Sequence, residues 1–412
     1  MQRELFAIAA AFGFLIFASR RLKLWHGVIL CLTGCVMSLC AGHAPAQTAR
    51  YFLSVFTSAG TVKTIAVVIE IGVLSVLMKH YGILDRLVLA FEKVFASERT
   101  IMMLLPATFG MLSVPGGAQL SSPFVNQIGQ DLNMPVAKRA AVNISFRHIA
   151  YMVLPTASSM IVFSSLVPNL SVYKLIGLNI VYALIIQSAA YYVLLKDYPP
   201  TSLGRKLNRR EGLWELAQYL FPIYVIILLN GLFGVQMYIS VFLSLIFVAL
   251  IWGRRDLGGY CRVFVSGVSL KVFIMMTGVF FMQNVIKDLG SVMGGFSALF
   301  AQSSGFAALL VLSATCIFFA ATSGLSYVAL GVATPLVLSL NLPPTQELLY
   351  CFAIYTMAFN GYYYSPLHLC QLLTVQQMEC PASGLYKEYA PMLLTSLVSV
   401  FVLFYVYHFI FV

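Results

Sequence analysis

The chain has 412 residues, 60% of them hydrophobic and only 9% charged, whereas a soluble domain carries about a quarter charged residues. That composition excludes an ordinary soluble enzyme and points to a polytopic membrane protein. The net charge of +11 is explained by where the basic residues fall, without a nucleic-acid partner.

A crossing needs roughly 20 apolar residues. In chain order, ten tracts read as spans: about 4–19, 24–41, 62–78, 140–165, 171–195, 214–231, 236–252, 269–286, 348–373 and 390–411. Arg3 ahead of the first tract imitates a secretory signal. However, "SRRLK" follows at 19–23 and no small-residue cleavage site ends the run, so a retained span is expected. Two further apolar tracts, 101–130 and 306–340, carry helix breakers and do not read as single spans. The longest polar stretch, "KDYPPTSLGRKLNRREG" at 196–212, is a basic linker between halves 1–195 and 213–412.

Of the 25 basic residues, 19 collect in alternate loops: Arg20, Arg21, Lys23, Lys79, Arg86, Lys93, Arg99, Lys138, Arg139, Lys196, Arg205, Lys206, Arg209, Arg210, Arg254, Arg255, Arg262, Lys271 and Lys387. Arg3, Arg50, Lys63, Lys174 and Lys287 fall on the other side, and Arg147 lies within a span. Positively charged loops stay in the cytoplasm, which puts both termini outside. The parity holds only if 101–130 and 306–340 each enter and leave on one side. Both are therefore expected to be re-entrant hairpins.

The halves also share an order of features. "VKTIAVVIEIGVLSVLMKHYGIL" at 62–84 aligns with "LKVFIMMTGVFFMQNVIKDLGSV" at 270–292 at an offset of 208, which also carries Gly116 onto Gly324. Pro155 aligns with Pro366 at an offset of 211. Five crossings per copy make the repeats inverted, a common build of secondary carriers with the substrate near the midplane. The expected fold class is an all-α polytopic protein of about ten transmembrane helices plus two re-entrant hairpins, in two inverted-topology repeats.

In the first hairpin, "SVPGGAQLSSP" at 113–123 supplies Pro115, Gly116 and Gly117 for a chain reversal, with Ser121 and Ser122 beside it. In the second, "ATSGLSYVALGVATP" at 321–335 supplies Thr322, Ser323, Gly324 and Ser326. Interrupted backbone survives in hydrocarbon only inside protein or beside a water cavity, and half-helix starts there attract anions. The competing reading is that these small residues merely let helices pack closely.

Polar groups inside spans complete the candidate set. "NISFRHIAYMVLPTASS" at 143–159 places Asn143 one turn before Arg147, with His148 adjacent, and "NGYYYSPLHLC" at 360–370 offers Asn360, Ser365 and His368. Arg147 has the planar fork that clamps a carboxylate or phosphate; it could instead reach cytoplasmic head groups along its stem. Glu70 is the only carboxylate deep in any span, either an ion carrier or a partner of Arg147 or His148. His148 and His368 are candidate proton relays or packing residues. The eight cysteines show no metal or redox spacing and receive no role.

"LSVPGGAQLSSP", "NISFRH" and "GYYYSPLHLCQLLT" resemble the signature segments of an uncharacterised prokaryotic family of integral membrane proteins. That family is grouped with the ion transporter superfamily, relatives of gluconate, citrate and dicarboxylate carriers and some cation antiporters. The resemblance implies a prokaryotic cytoplasmic (inner) membrane location and a site lined by both hairpins. The Ser-Asn-Thr signature of sodium-coupled dicarboxylate carriers is replaced by Pro-Gly-Gly and Thr-Ser-Gly, which leaves substrate and coupling ion open.

The function expected is a non-enzymatic permease for a small organic anion, a carboxylate in chemical class, coupled to H+ or Na+, with no cofactor and no metal ligand set. A homodimer is compatible with it. The alternative is a cation antiporter. An intramembrane hydrolase is remote, because no Gly-x-Ser-x-Gly, His-Glu-x-x-His or paired aspartates occur.

Overall fold

A computed structural model describes residues 2–22, 24–111, 118–167, 170–199, 207–302 and 305–412. Every regular element among them is a helix. The first half contains α1 (Gln2–Arg21), α2 (His26–Ala41), α3 (Pro45–Thr57), α4 (Ala59–His80), α5 (Ile83–Val94), α6 (Glu98–Met111), α7 (Ala118–Asp131), α8 (Val136–Arg147), α9 (Ile149–Val153), α10 (Ser158–Leu166) and α11 (Val172–Leu194). The second contains α12 (Arg209–Gly231), α13 (Met237–Val248, prolonged by a π-turn over Ala249–Gly253), α14 (Leu257–Gly267), α15 (Leu270–Lys287), α16 (Gly290–Gln302), α17 (Phe306–Ser323), α18 (Ser326–Leu338), α19 (Pro344–Tyr363), α20 (Leu369–Gln377) and α21 (Ala382–Phe411).

Local chemistry sets many of these boundaries. Ser58, Ser171, Asn208, Asp256 and Ser269 cap α4, α11, α12, α14 and α15, each side chain accepting a first-turn amide. Seven helical stretches are long and apolar enough to cross a membrane: 59–80, 136–166, 172–194, 209–231, 257–287, 306–323 and 382–411. The protein is thus a helical membrane protein by length and composition. Six of the ten expected spans coincide with these stretches; 4–19, 24–41, 236–252 and 348–373 are helical for most of their length but are not among the seven.

The tract at 101–130 resolves into α6 and α7, 14 residues each, which pack on one another. Pro115, Gly116 and Gly117 lie between them, outside the described residues. The tract at 306–340 also divides, at Gly324, but unevenly. α17 runs 18 residues, about 27 Å, longer than α6 or α7. No breaker interrupts it before Gly324, so the helix continues until that residue.

Helix boundaries recur along the chain. α7 begins at 118 and α18 at 326, while α8 begins at 136 and α19 at 344, each pair 208 apart. α10 and α20 are both nine residues long and start 211 apart, at 158 and 369. The halves interlock: α2 packs along α15, and α13 and α14 pack along α4. The first seam closes to backbone contact at Gly27, where a Cβ would sit 2.5 Å from the Met275 nitrogen. Small-residue packing does operate in this protein, at the seam between halves.

Gly27→Ala is expected to lower stability by about 1–3 kcal/mol, as overpacking does. Gly13→Ala on α1, where nothing lies within 4 Å, is expected to be neutral or slightly stabilising. Thermal unfolding of both variants in detergent checks this; equal effects would remove the seam from the account.

Candidate functional site

Two prolines create the central feature. Pro155 and Pro366 each disfavour helix at the residue before them, Leu154 and Ser365. Leu154 and Ala157 are accordingly extended (φ −102°, ψ 126° and φ −62°, ψ 131°), and α9 gives way to α10 across 154–157. In the second half α19 gives way to α20 across 364–368, with His368 extended at the start of α20 (φ −66°, ψ 114°). The first interruption is buried throughout; in the second, Ser365 and His368 are buried while Pro366 is exposed.

The α17–α18 turn rests on the second interruption. Gly324 holds φ +68°, a left-handed conformation that costs glycine nothing, and a Cβ there would lie 2.7 Å from the Leu367 carbonyl oxygen. Ser365 Oγ donates to the Ala321 carbonyl at 2.6 Å and accepts the Leu367 amide at 3.1 Å. Ser323 Oγ donates to the Phe319 carbonyl at 2.6 Å and accepts the Leu325 amide at 3.2 Å. These hydroxyls satisfy broken backbone.

Arg147 and His148 sit at the joint between α8 and α9, where α6 passes so closely that a Cβ on Gly110 would strike the Arg147 carbonyl. Arg147 is 5% exposed, and its Nη1 has no hydrogen-bond partner. No carboxylate pairs with it among the described residues. Buried hydroxyls that lack a partner include those of Ser122 on α7, Tyr151 on α9 and Thr156 in the first interruption. The Tyr151 and Tyr362 rings stack at 6.1 Å, and Ser326 lies beside the Tyr151 hydroxyl. The centre therefore combines a buried guanidinium with hydroxyls that have spare hydrogen-bonding capacity.

Beside the guanidinium lies an imidazole pair. His148 Nδ1 is 2.6 Å from the Ile144 carbonyl oxygen and His368 Nδ1 is 3.3 Å from that of Tyr363. A carbonyl can only accept, so in the neutral tautomers that satisfy these two contacts both Nδ1 atoms donate and both Nε2 atoms present lone pairs. Those two Nε2 atoms face each other at 3.1 Å. The Cys370 thiol completes a triangle in which all three donor atoms lie within 4.8 Å of one another. Tyr362 and Tyr363 wall the pair, with ring centroids 4.1 Å from His368 and 5.3 Å from His148.

Several expected site residues hydrogen-bond to other parts of the protein. Asn143 accepts from Ser121 Oγ at 2.6 Å and donates to Thr374 Oγ1 at 3.1 Å, tying α8 to α7 and α20. Asn360 exchanges bonds with Tyr182 and accepts from Ser396 Oγ at 2.6 Å, tying α19 to α11 and α21. Thr322 folds its hydroxyl back onto the Phe318 carbonyl at 2.8 Å. Glu70 is half-buried on α4 with Oε2 unpartnered, and no ion pair or hydrogen bond among the described residues joins it to Arg147 or His148. Sequence reasoning missed Cys370, Tyr151, Tyr362 and Thr156. The signal for Cys370 was its place two residues past His368, on the first turn after a proline break.

Asn360→Ala would strand the buried Tyr182 hydroxyl, at a cost of about 1–3 kcal/mol, while Ser396 keeps the Leu393 carbonyl. Asn360→Asp, which keeps the acceptor, is expected to lose less of the thermal midpoint. An Asn360→Ala protein as stable as the parent would contradict the fastening role.

No curated protein matches the chain. A family profile described as "protein of unknown function (DUF401)" matches residues 10–407, nearly the whole length, and the chain belongs to that family.

Proposed function

We propose that the protein is a secondary carrier that moves a small organic anion, most simply a carboxylate, across the cytoplasmic membrane of a prokaryote. Its fold is read as two inverted repeats, with α6–α7 and α17–α18 as re-entrant pairs and both termini outside. The recurrence of helix boundaries at offsets of 208 and 211 supports the repeat, and the one-sided distribution of Lys and Arg supports the orientation. Alternating access would then rock one set of interrupted helices against the interlocked α2, α4, α13 and α15.

The observation that carries the reading is the Arg147 guanidinium, buried with Nη1 free and no carboxylate partner among the described residues. A buried charge without a counter-ion is costly, by several kcal/mol, so an anion arriving there recovers a penalty already present in the empty protein. The first turns of α10 and α20 add free amides and the positive ends of short dipoles. Ser122, Tyr151 and Thr156 add hydroxyls with no other partner. H+ or Na+ remains the coupling ion, with Glu70, His148 and His368 as candidate residues.

A cation antiporter is the second reading. The observation favouring it is Glu70, with Oε2 unpartnered inside a long apolar helix.

Both readings meet one experiment: a thermal-shift screen of the purified protein against organic acids, with and without Na+ and across pH. One acid should raise the midpoint, and Arg147→Gln should weaken its binding about 10–100-fold, the worth of a charge-assisted bond, while Arg147→Lys retains part of it. Stabilisation by cations alone, or equal acid affinity in Arg147→Gln, would overturn the carrier reading.

A further inference from the structure

The imidazole pair and the Cys370 thiol meet in one cluster, with the thiol in hydrogen-bonding reach of His148. With both Nδ1 atoms on backbone carbonyls, two lone pairs face each other at 3.1 Å in a buried setting. A proton shared with the thiol, or a metal ion bound by all three groups, answers that arrangement. The surroundings select between the two.

Three features favour a metal ion over a bare proton. The first is the donor set: two imidazoles and a thiol from the α8–α9 joint and the first turn of α20, all within 4.8 Å of one another. Nitrogen and thiolate ligands suit borderline and soft ions and discriminate against Na+, Mg2+ and Ca2+, which take oxygen. The second is the outer contact of each imidazole. A histidine that ligates through one ring nitrogen characteristically donates the other to a carbonyl or carboxylate, which fixes tautomer and ring plane; His148 and His368 both do so. The third is the angle. Two nitrogens 3.1 Å apart, each about 2.05 Å from one ion, subtend about 100° at it, close to tetrahedral. The thiol has to draw in by about an ångström to reach a bond of about 2.3 Å.

Arg147, which lies against the same sulfur, does not forbid this. A cation replacing the thiol proton leaves a thiolate there, and the guanidinium lies on the thiolate side of the cluster. The carbonyls of Ile144 and Tyr363 place negative dipole ends behind the two rings.

We propose that His148, His368 and Cys370 form a buried three-ligand site for a thiophilic closed-shell metal cation, Zn2+ or Cu+, with one coordination position left for an outside ligand. His148 comes from the first half and His368 and Cys370 from the second, so the ion would clamp the halves together at the centre of the molecule. The site stands on this cluster alone and survives failure of the anion-carrier reading.

The test uses the full-length protein in detergent, stripped with a chelator and titrated with Cd2+ as a spectroscopic stand-in for Zn2+. One equivalent per chain is expected, with the ultraviolet thiolate-to-metal charge-transfer band and a raised thermal midpoint. Cys370→Ser should abolish the band, and His368→Gln should weaken binding at least tenfold. Cys261→Ser, which removes the exposed thiol most open to adventitious metal, should change neither. A parallel competition against a chromophoric Cu+ chelator decides between the two ions, since uptake of Cu+ with no Cd2+ or Zn2+ band assigns the site to Cu+. Should Cys370→Ser fail to fold, His368→Gln alone carries the comparison. Absence of uptake in both arms, or stoichiometric uptake unchanged in the variant that folds, would overturn the proposal.

Discussion

In hydrocarbon a backbone amide or carbonyl without a partner costs several kcal/mol, and that penalty governs where this chain can stop being helical. Its interruption at 154–157 is buried, and those at 324–325 and 364–368 are partly so. The latter two are patched by hydroxyls or by direct backbone contact: Ser365 to Ala321 and Leu367, Ser323 to Phe319 and Leu325, Gly324 against Leu367. A break needs neighbours before it can exist, so the interruptions gather in one place. The proposed site is a consequence of that gathering.

The same penalty separates fastening residues from functional ones. Asn143, Asn360 and Ser365 spend every strong bond they can make on neighbouring helices, and their burial is then close to free. Arg147 Nη1, Ser122, Tyr151 and Thr156 do not, although they lie in the same protein interior. Unspent capacity in a dry place is expensive unless something else uses it. Arg139 Nε is unpartnered too, but Arg139 is only half-buried; an unspent donor joined to deep burial is what sets Arg147 apart.

Apolar tracts, proline breaks and the 208-residue offset were legible because they depend on short-range rules: run length, the missing proline amide and the restriction on the residue before it. The helix boundaries that recur at that offset follow from the same signals. What was not legible is pairing across the molecule. Asn360 and Arg147 look alike as polar residues within spans, and only the positions of Tyr182 and Ser396 show that one is satisfied. Cys370 looked like any buried small hydrophobe until α20 was set against the α8–α9 joint. The uneven length of α17 was likewise hidden, since helix continues by default where no breaker stands.

The two seams between the halves differ in kind, and this constrains how the proposed carrier could move. Along α2 and α15 the contact closes to backbone on backbone at Gly27, and an interface packed that tightly resists sliding because a shift forces overlap. Around His148 and His368 the contact is polar, ring-walled and made at the ends of short helices, where the chain has few internal bonds left to break. Rearrangement is cheapest where the fewest backbone bonds and the least buried apolar area are exchanged. Motion that opens the centre would therefore turn on α9, α10 and α20, with the α2–α15 seam as the fixed frame, and an ion held by His148, His368 and Cys370 would oppose it directly.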